Sequence, residues 1–114
     1  MVKNISTWPT GSNYICNPPV EDTDIDTVVL VEDLSDALQA YSAEGWTYCG
    51  KDYEANMLDW FAVRKGKENH IVMKDLERFQ HWITATELCR ALNLLKKQDR
   101  ILVFNTIVDG NRMF

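Results

Sequence analysis

With 114 residues, 46% of them hydrophobic and 25% charged, the chain fits a single globular domain spanning residues 1–114. A domain of this size buries about 65% of the surface its unfolded form exposes. The net charge of −5, from 12 basic and 17 acidic residues, repels a phosphate backbone at long range and argues against general nucleic-acid binding. Three widely spaced cysteines without a Cys-x-x-Cys motif, and no apolar run near the roughly 18 residues of a membrane span, argue against a disulfide framework, a zinc site and a membrane protein. Met1–Ile5 lacks the apolar region of a signal peptide, so a cytoplasmic location is expected.

In chain order, Ile5-Ser6-Thr7-Trp8 alternates and predicts a short strand ending at Pro9. Residues 11–22 carry Gly11, Asn13, Asn17, Pro18 and Pro19, the composition of a loop, with one helical turn expected after Ser12 as N-cap. Asp26-Thr27-Val28-Val29-Leu30-Val31 is a β-branched run that reads as a central strand buried on both faces. Asp33 and Asp36 then open a helix in the manner of a capping box, with Leu34, Ala37, Leu38 and Tyr41 on one face and Gly45 as its stop. Strands are predicted at Trp46–Cys49 and Trp60–Arg64, the second joined by the 65–69 turn to His70–Met73 in a hairpin. Asp75 caps a long helix expected to reach residue 95, with Leu76, Phe79, Trp82, Ile83, Thr86 and Cys89 near one face and Leu88, Leu92 and Leu95 extending it. Residues 98–109 read as a second helix through Ile101, Phe104 and Val108, although their β-branched content also suits a strand. The fold class expected is α+β, a mixed sheet with helices mainly on one face.

The sharpest chemical feature is Asp24-Ile25-Asp26 at the head of the central strand. Residues i and i+2 of a strand point to one side, so the two carboxylates converge and Ile25 turns into the core. Like charges about 6–7 Å apart favour a divalent cation between them, and a hard cation such as Mg²⁺ takes carboxylate oxygens while keeping waters that phosphates can replace. Gly11-Ser12 lies a dozen residues upstream. Glycine allows a phosphate to approach the backbone, and a helical turn beyond it offers free N–H groups.

Gly11-Ser12-Asn13, a Pro-containing loop and Thr23-Asp24-Ile25-Asp26 before an apolar strand resemble the signature of the DNA polymerase β-like nucleotidyltransferase superfamily. More narrowly, most of the chain resembles a group of short nucleotidyltransferase-like proteins of tailed bacteriophages. The residues that carry this likeness are Ile15–Pro19, Thr23–Asp26, Arg64-Lys65-Gly66, Thr84–Cys89 and Leu92–Arg100. The resemblance implies a nucleotidyltransferase-like fold in which Asp24 and Asp26 are catalytic metal ligands for Mg²⁺ or Mn²⁺. Gly11, Ser12 and Asn13 would cradle the phosphates of an NTP, and a nucleoside monophosphate would pass to a hydroxyl acceptor with release of pyrophosphate.

The chain departs from that pattern. Active relatives place a third carboxylate near the start of the 70–73 strand, where Asn69 stands here; Glu68 is one residue off and faces the other way, and Asp75 is late. Asn13 replaces a frequent arginine, and Asn17-Pro18-Pro19 replaces a glycine-bearing loop. His70 has two readings, a general base in place of the lost acid or a structural strand histidine, and the second is favoured. His81, Trp60, Trp82 and Phe79 read as structural, Cys89 as core filler, and the basic stretches at 64–67 and 96–97 as solvated turns.

Three expectations follow. The first is a metal-dependent nucleotidyltransferase. The second is a catalytically degenerate form of that fold that binds a nucleotide or caps a host protein. The third is a half-site that works beside a protein partner or as a homo-oligomer. No membrane association is expected, and a phage-encoded chain would act in the host cytoplasm.

Overall fold

The computed structural model describes residues 5–16, 24–49 and 60–109. The 17–23 loop, with Pro18, Pro19, Glu21 and Asp22, lies outside them. So do 50–59 and the Gly110 expected to end the last helix. The elements run β1 (Ser6–Thr10), α1 (Gly11–Ile15), β2 (Ile25–Leu30), α2 (Leu34–Ala43), β3 (Thr47–Tyr48), β4 (Trp60–Lys65), β5 (Glu68–Met73), α3 (Leu76–Ala91) and α4 (Lys97–Phe104). A π-helical turn, Asn105–Asp109, closes the described chain.

Among the described residues, five strands form one mixed sheet in the order β1-β2-β5-β4-β3. β2 and β5 pair in parallel and the other neighbours are antiparallel. The hairpin predicted at 60–73 forms around Gly66 (φ +63°), the first residue of a two-residue turn where glycine is favoured. β1 is an edge strand, which is why it runs through Pro9 to Thr10 instead of ending at the proline: an edge position can dispense with one N–H donor.

The β2 side chains divide by parity. Val29 and Val31 join Phe61, Val63 and Val72 on the face covered by Ala37 and Tyr41 of α2. Val28 and Leu30 join Trp60, Ala62 and Met73 on the face covered by Phe79 of α3. The central strand is thus buried on both faces, as the β-branched run predicts. Burying an apolar side chain of this size contributes about 1.5–3 kcal/mol. A third cluster, Ile15, Cys16 and Cys89 with Val103 and Phe104 alongside, packs α1 and α4 against α3. Helices therefore lie on both faces, three on one and α2 on the other.

Asp33 caps α2 by accepting from the Asp36 amide at 3.0 Å, and Gly45 (φ +90°) ends the run. Asp75 caps α3 by accepting from the amides of Glu77 and Arg78. The long helix stops at Ala91, short of residue 95, because Asn93 takes a left-handed conformation (φ +47°) and turns the chain into α4. Leu92 and Leu95, beyond that break, are exposed, and so are Leu76 and Leu88 within α3; none of the four extends the buried face. Ile25, the first residue of β2, is also exposed, at 50%, and does not enter the core. No described helix is long and apolar enough to cross a membrane.

The buried and exposed apolar positions separate cleanly in a denaturation experiment. Met73→Ala, fully buried between sheet and α3, lowers unfolding free energy by about 2–5 kcal/mol. Leu88→Gln, on the exposed side of α3, changes it by less than about 0.5 kcal/mol. Urea titrations of the two variants check this.

Candidate functional site

The parallel register of β2 and β5 sets Asp26 directly beside Asn69, and the antiparallel register of β4 sets Arg64 beside Asn69 in turn. Asp24, Asp26, Asn69 and Arg64 therefore lie on the α3 face, in a row across one end of the sheet. Asn69 Nδ2 donates to Asp26 Oδ1 at 2.9 Å. Arg64 Nη2 donates to Asp24 Oδ1 at 3.0 Å, in an ion pair whose side chains stay 49% and 33% exposed. An exposed pair of this kind contributes at most about 1 kcal/mol. Arg64, read as part of a solvated turn, is thus the counter-ion of the acidic pair.

Gly11, at φ +76°, packs against the other side of Asp26: a Cβ built on Gly11 lands on Asp26 Oδ2. The close backbone approach that glycine was expected to offer a phosphate is thus made to the Asp26 carboxylate. The Gly-Ser and Asp-x-Asp segments meet in space, as their pairing in sequence implies. α1 starts two residues earlier than predicted, with Thr10 as N-cap and no side-chain capping bond, so Ser12 is inside the helix; its carbonyl accepts from the Cys16 amide at 3.0 Å. Asn13 lines a cleft of about 780 Å³ together with Asp26, Tyr14, Glu87 and Arg90.

Burial pushes the Asp26 carboxyl above the usual carboxylate range, opposed by the Asn69 hydrogen bond and reinforced by the Asp24 charge. The two acids sense each other as the Asp-x-Asp spacing predicts. Among the described residues, no three His, Cys, Asp or Glu side chains are grouped to hold a metal ion. Two carboxylates suit a hard cation that keeps most of its waters, provided Arg64 and Asn69 yield the oxygens they hold. A three-carboxylate set does not fit, because the register position for the third is Asn69.

His70 faces the opposite side of the sheet from Asp26. Its Nδ1 lies 2.8 Å from the Tyr41 hydroxyl, and its ring packs on Trp46 with centroids 4.5 Å apart. It belongs to the α2 side and is structural, the reading favoured from sequence. Trp60 and Phe79 are core, Cys89 is fully buried, and His81 is half-buried on α3.

Several site residues escaped the sequence. Glu87 Oε1 accepts from Trp8 Nε1 at 2.9 Å and from the Tyr14 hydroxyl at 2.8 Å, tying β1 and α1 to α3. Glu87, ahead of burial, pushes the Tyr14 hydroxyl pKa up. Beneath it, Trp82 Nε1 donates to Thr10 Oγ1 at 3.2 Å, Thr10 and Thr86 hydroxyls meet at 2.7 Å, and Thr86 Oγ1 donates to the Trp82 carbonyl at 2.8 Å. With Thr86 donating to the carbonyl, the Thr10 hydroxyl donates to Thr86 and the circuit closes. Apart from the Thr86–Trp82 bond within α3, these contacts span 72 to 79 residues, and no local spacing encodes them.

No protein-family model, curated protein or solved structure matches the chain.

Gly11→Ala forces alanine into the left-handed region, at about 1–2 kcal/mol, and drives its methyl into Asp26. In an Asp26→Ala background the clash with the carboxylate is removed and only that with the Asp26 Cβ stays, so a double-mutant cycle gives a coupling above about 0.5 kcal/mol; purely additive losses would contradict the contact. A second test concerns pH. Burial lowers the His70 pKa against a weaker opposing push from Glu68, so below the unfolded value of about 6.5 the unfolded chain binds the proton more readily. The stability that His70 contributes is complete above about pH 6.5 and is lost as pH falls through the folded pKa. Replacing it by His70→Gln flattens the stability profile between pH 7 and 5, measured by chemical denaturation at each pH.

Proposed function

We infer that this chain is a metal–nucleotide binding protein built on a nucleotidyltransferase-like site, with phosphoryl-transfer chemistry weak or lost. The observation that carries the reading is the Asn69–Asp26 hydrogen bond at the strand register where a third carboxylate would complete the site. An amide there neither accepts a proton from an acceptor hydroxyl nor balances cation charge. Asp26 lines a cleft of about 780 Å³, a volume in the range of small-molecule sites, and Asp24 stands two residues before it in the chain. A divalent cation held by the two acids would neutralise phosphate charge.

A second reading, an active nucleotidyltransferase that turns over with two carboxylates, is favoured by the exposure of the Arg64–Asp24 pair. Contacts that weak are readily exchanged for a cation. The two readings share a binding site and differ in turnover.

Calorimetric titration with each of the four NTPs in Mg²⁺ or Mn²⁺ tests the shared part. Binding by the wild-type chain, weakened at least tenfold by Asp24→Asn or Asp26→Asn, is expected; absence of binding for every nucleotide and both metals rejects the site. Pyrophosphate release separates the readings. The wild-type chain is expected to release none above background, and Asn69→Asp to gain release by restoring the carboxylate. Release by the wild-type chain selects the active enzyme.

A further inference from the structure

The cleft beside Asp26 holds a cation that the acidic pair does not use. Arg90, near the end of α3, is the basic residue among those lining it. Its Cζ stands 4.4 Å from the centre of the Tyr14 ring, and its Nη1 donates to the Tyr14 hydroxyl at 3.3 Å. The half-buried ring holds the cation in place, which positions the guanidinium without neutralising it. Among the described residues Arg90 forms no ion pair. Arg64 answers Asp24, Arg100 donates to the carbonyls of Leu94 and Leu95, and Lys65 donates to the Glu44 carbonyl. Glu87, one turn earlier on α3, turns Oε1 to Trp8 and Tyr14 and leaves the guanidinium fork open.

We propose that Arg90 is the phosphate clamp of this cleft, binding the terminal phosphate of a cation-complexed nucleoside triphosphate; the inference rests on the metal–nucleotide reading above. A planar fork of parallel N–H groups matches two phosphate oxygens, and Tyr14 pre-sets its plane, so little side-chain freedom is lost on binding. The charge balance of the wall selects the ligand. Glu87 and the Asp24–Asp26 pair repel a naked polyphosphate, whereas a cation at the acids removes most of that repulsion and leaves Arg90 facing the far end of the chain. Asn13, in the same wall, adds a neutral amide.

Equilibrium titrations of the full chain with Mg·ATP, Mg·tripolyphosphate and adenosine, for wild type, Arg90→Gln and Arg90→Lys, test this. The expected result is at least a tenfold loss of affinity for both phosphate ligands in Arg90→Gln, no change for adenosine, and partial recovery in Arg90→Lys, which keeps the charge but lacks the fork. Thermal melts accompany each variant, and if Arg90→Gln is unfolded, Arg90→Lys alone carries the comparison and must still weaken the phosphate ligands. Mg·ATP binding that is unchanged in both variants overturns the clamp and leaves the metal–nucleotide reading in place. Wild-type binding of tripolyphosphate but not ATP, lost in Arg90→Gln, supports the clamp and rejects the nucleotide. Binding of neither overturns both.

Discussion

The parallel pairing of β2 with β5 is the constraint on which the rest depends. It joins two strands separated by 37 residues, from Leu30 at the end of one to Glu68 at the start of the other, counted between them. The crossover between them includes α2, β3 and β4, so the register must be fixed by side chains rather than by a tight turn. Val28, Val29, Leu30, Val72 and Met73 fix it: each is buried, and a slip of one residue would exchange the α2 face for the α3 face along the whole strand. The same register that closes the core places Asp26 against Asn69. Packing and site geometry are therefore one choice of alignment, and the pairing of acid with amide follows from burial of the valines above it.

Much of the fold was readable because it is written locally. The β-branched 26–31 run, the Asp33 and Asp75 caps, the Gly45 stop and the Gly66 hairpin each need only a few neighbours to specify them. The errors arose where tertiary context overrode pattern. The leucines of α3 keep helical spacing to residue 95, yet Asn93 breaks the helix and the flanking leucines stay at the surface. Ile25 alternates with the acids, yet at the start of β2 it stays half exposed instead of entering the core.

The candidate site divides in the same way. Strand alternation placed Asp24 and Asp26 on one side, whereas Asn69 and Gly11 were singled out through the resemblance to the nucleotidyltransferase pattern. The role of Gly11 was not legible, because its neighbour in space is Asp26 and the contact bridges 15 residues of chain, 26 less 11. Glu87, Arg90, Tyr14 and Thr10 were invisible for a stronger reason. Each is an unremarkable residue on its own element, and only the docking of β1 and α1 on α3 gives them a common wall.

The hydroxyl circuit of Thr10, Thr86 and Trp82 has a consequence for how this chain meets others. An outer strand is a ready template for a foreign strand, and a loosely held one invites stacking of copies edge to edge. Here β1 contains Pro9, which cannot donate to a newcomer, and its last residue is locked into a closed ring with a helix. The opposite edge, β3, is two residues long, too short to seed a ladder. Among the described residues, both edge strands are thereby poor templates for a further strand, one by brevity and the other by a proline and a tether.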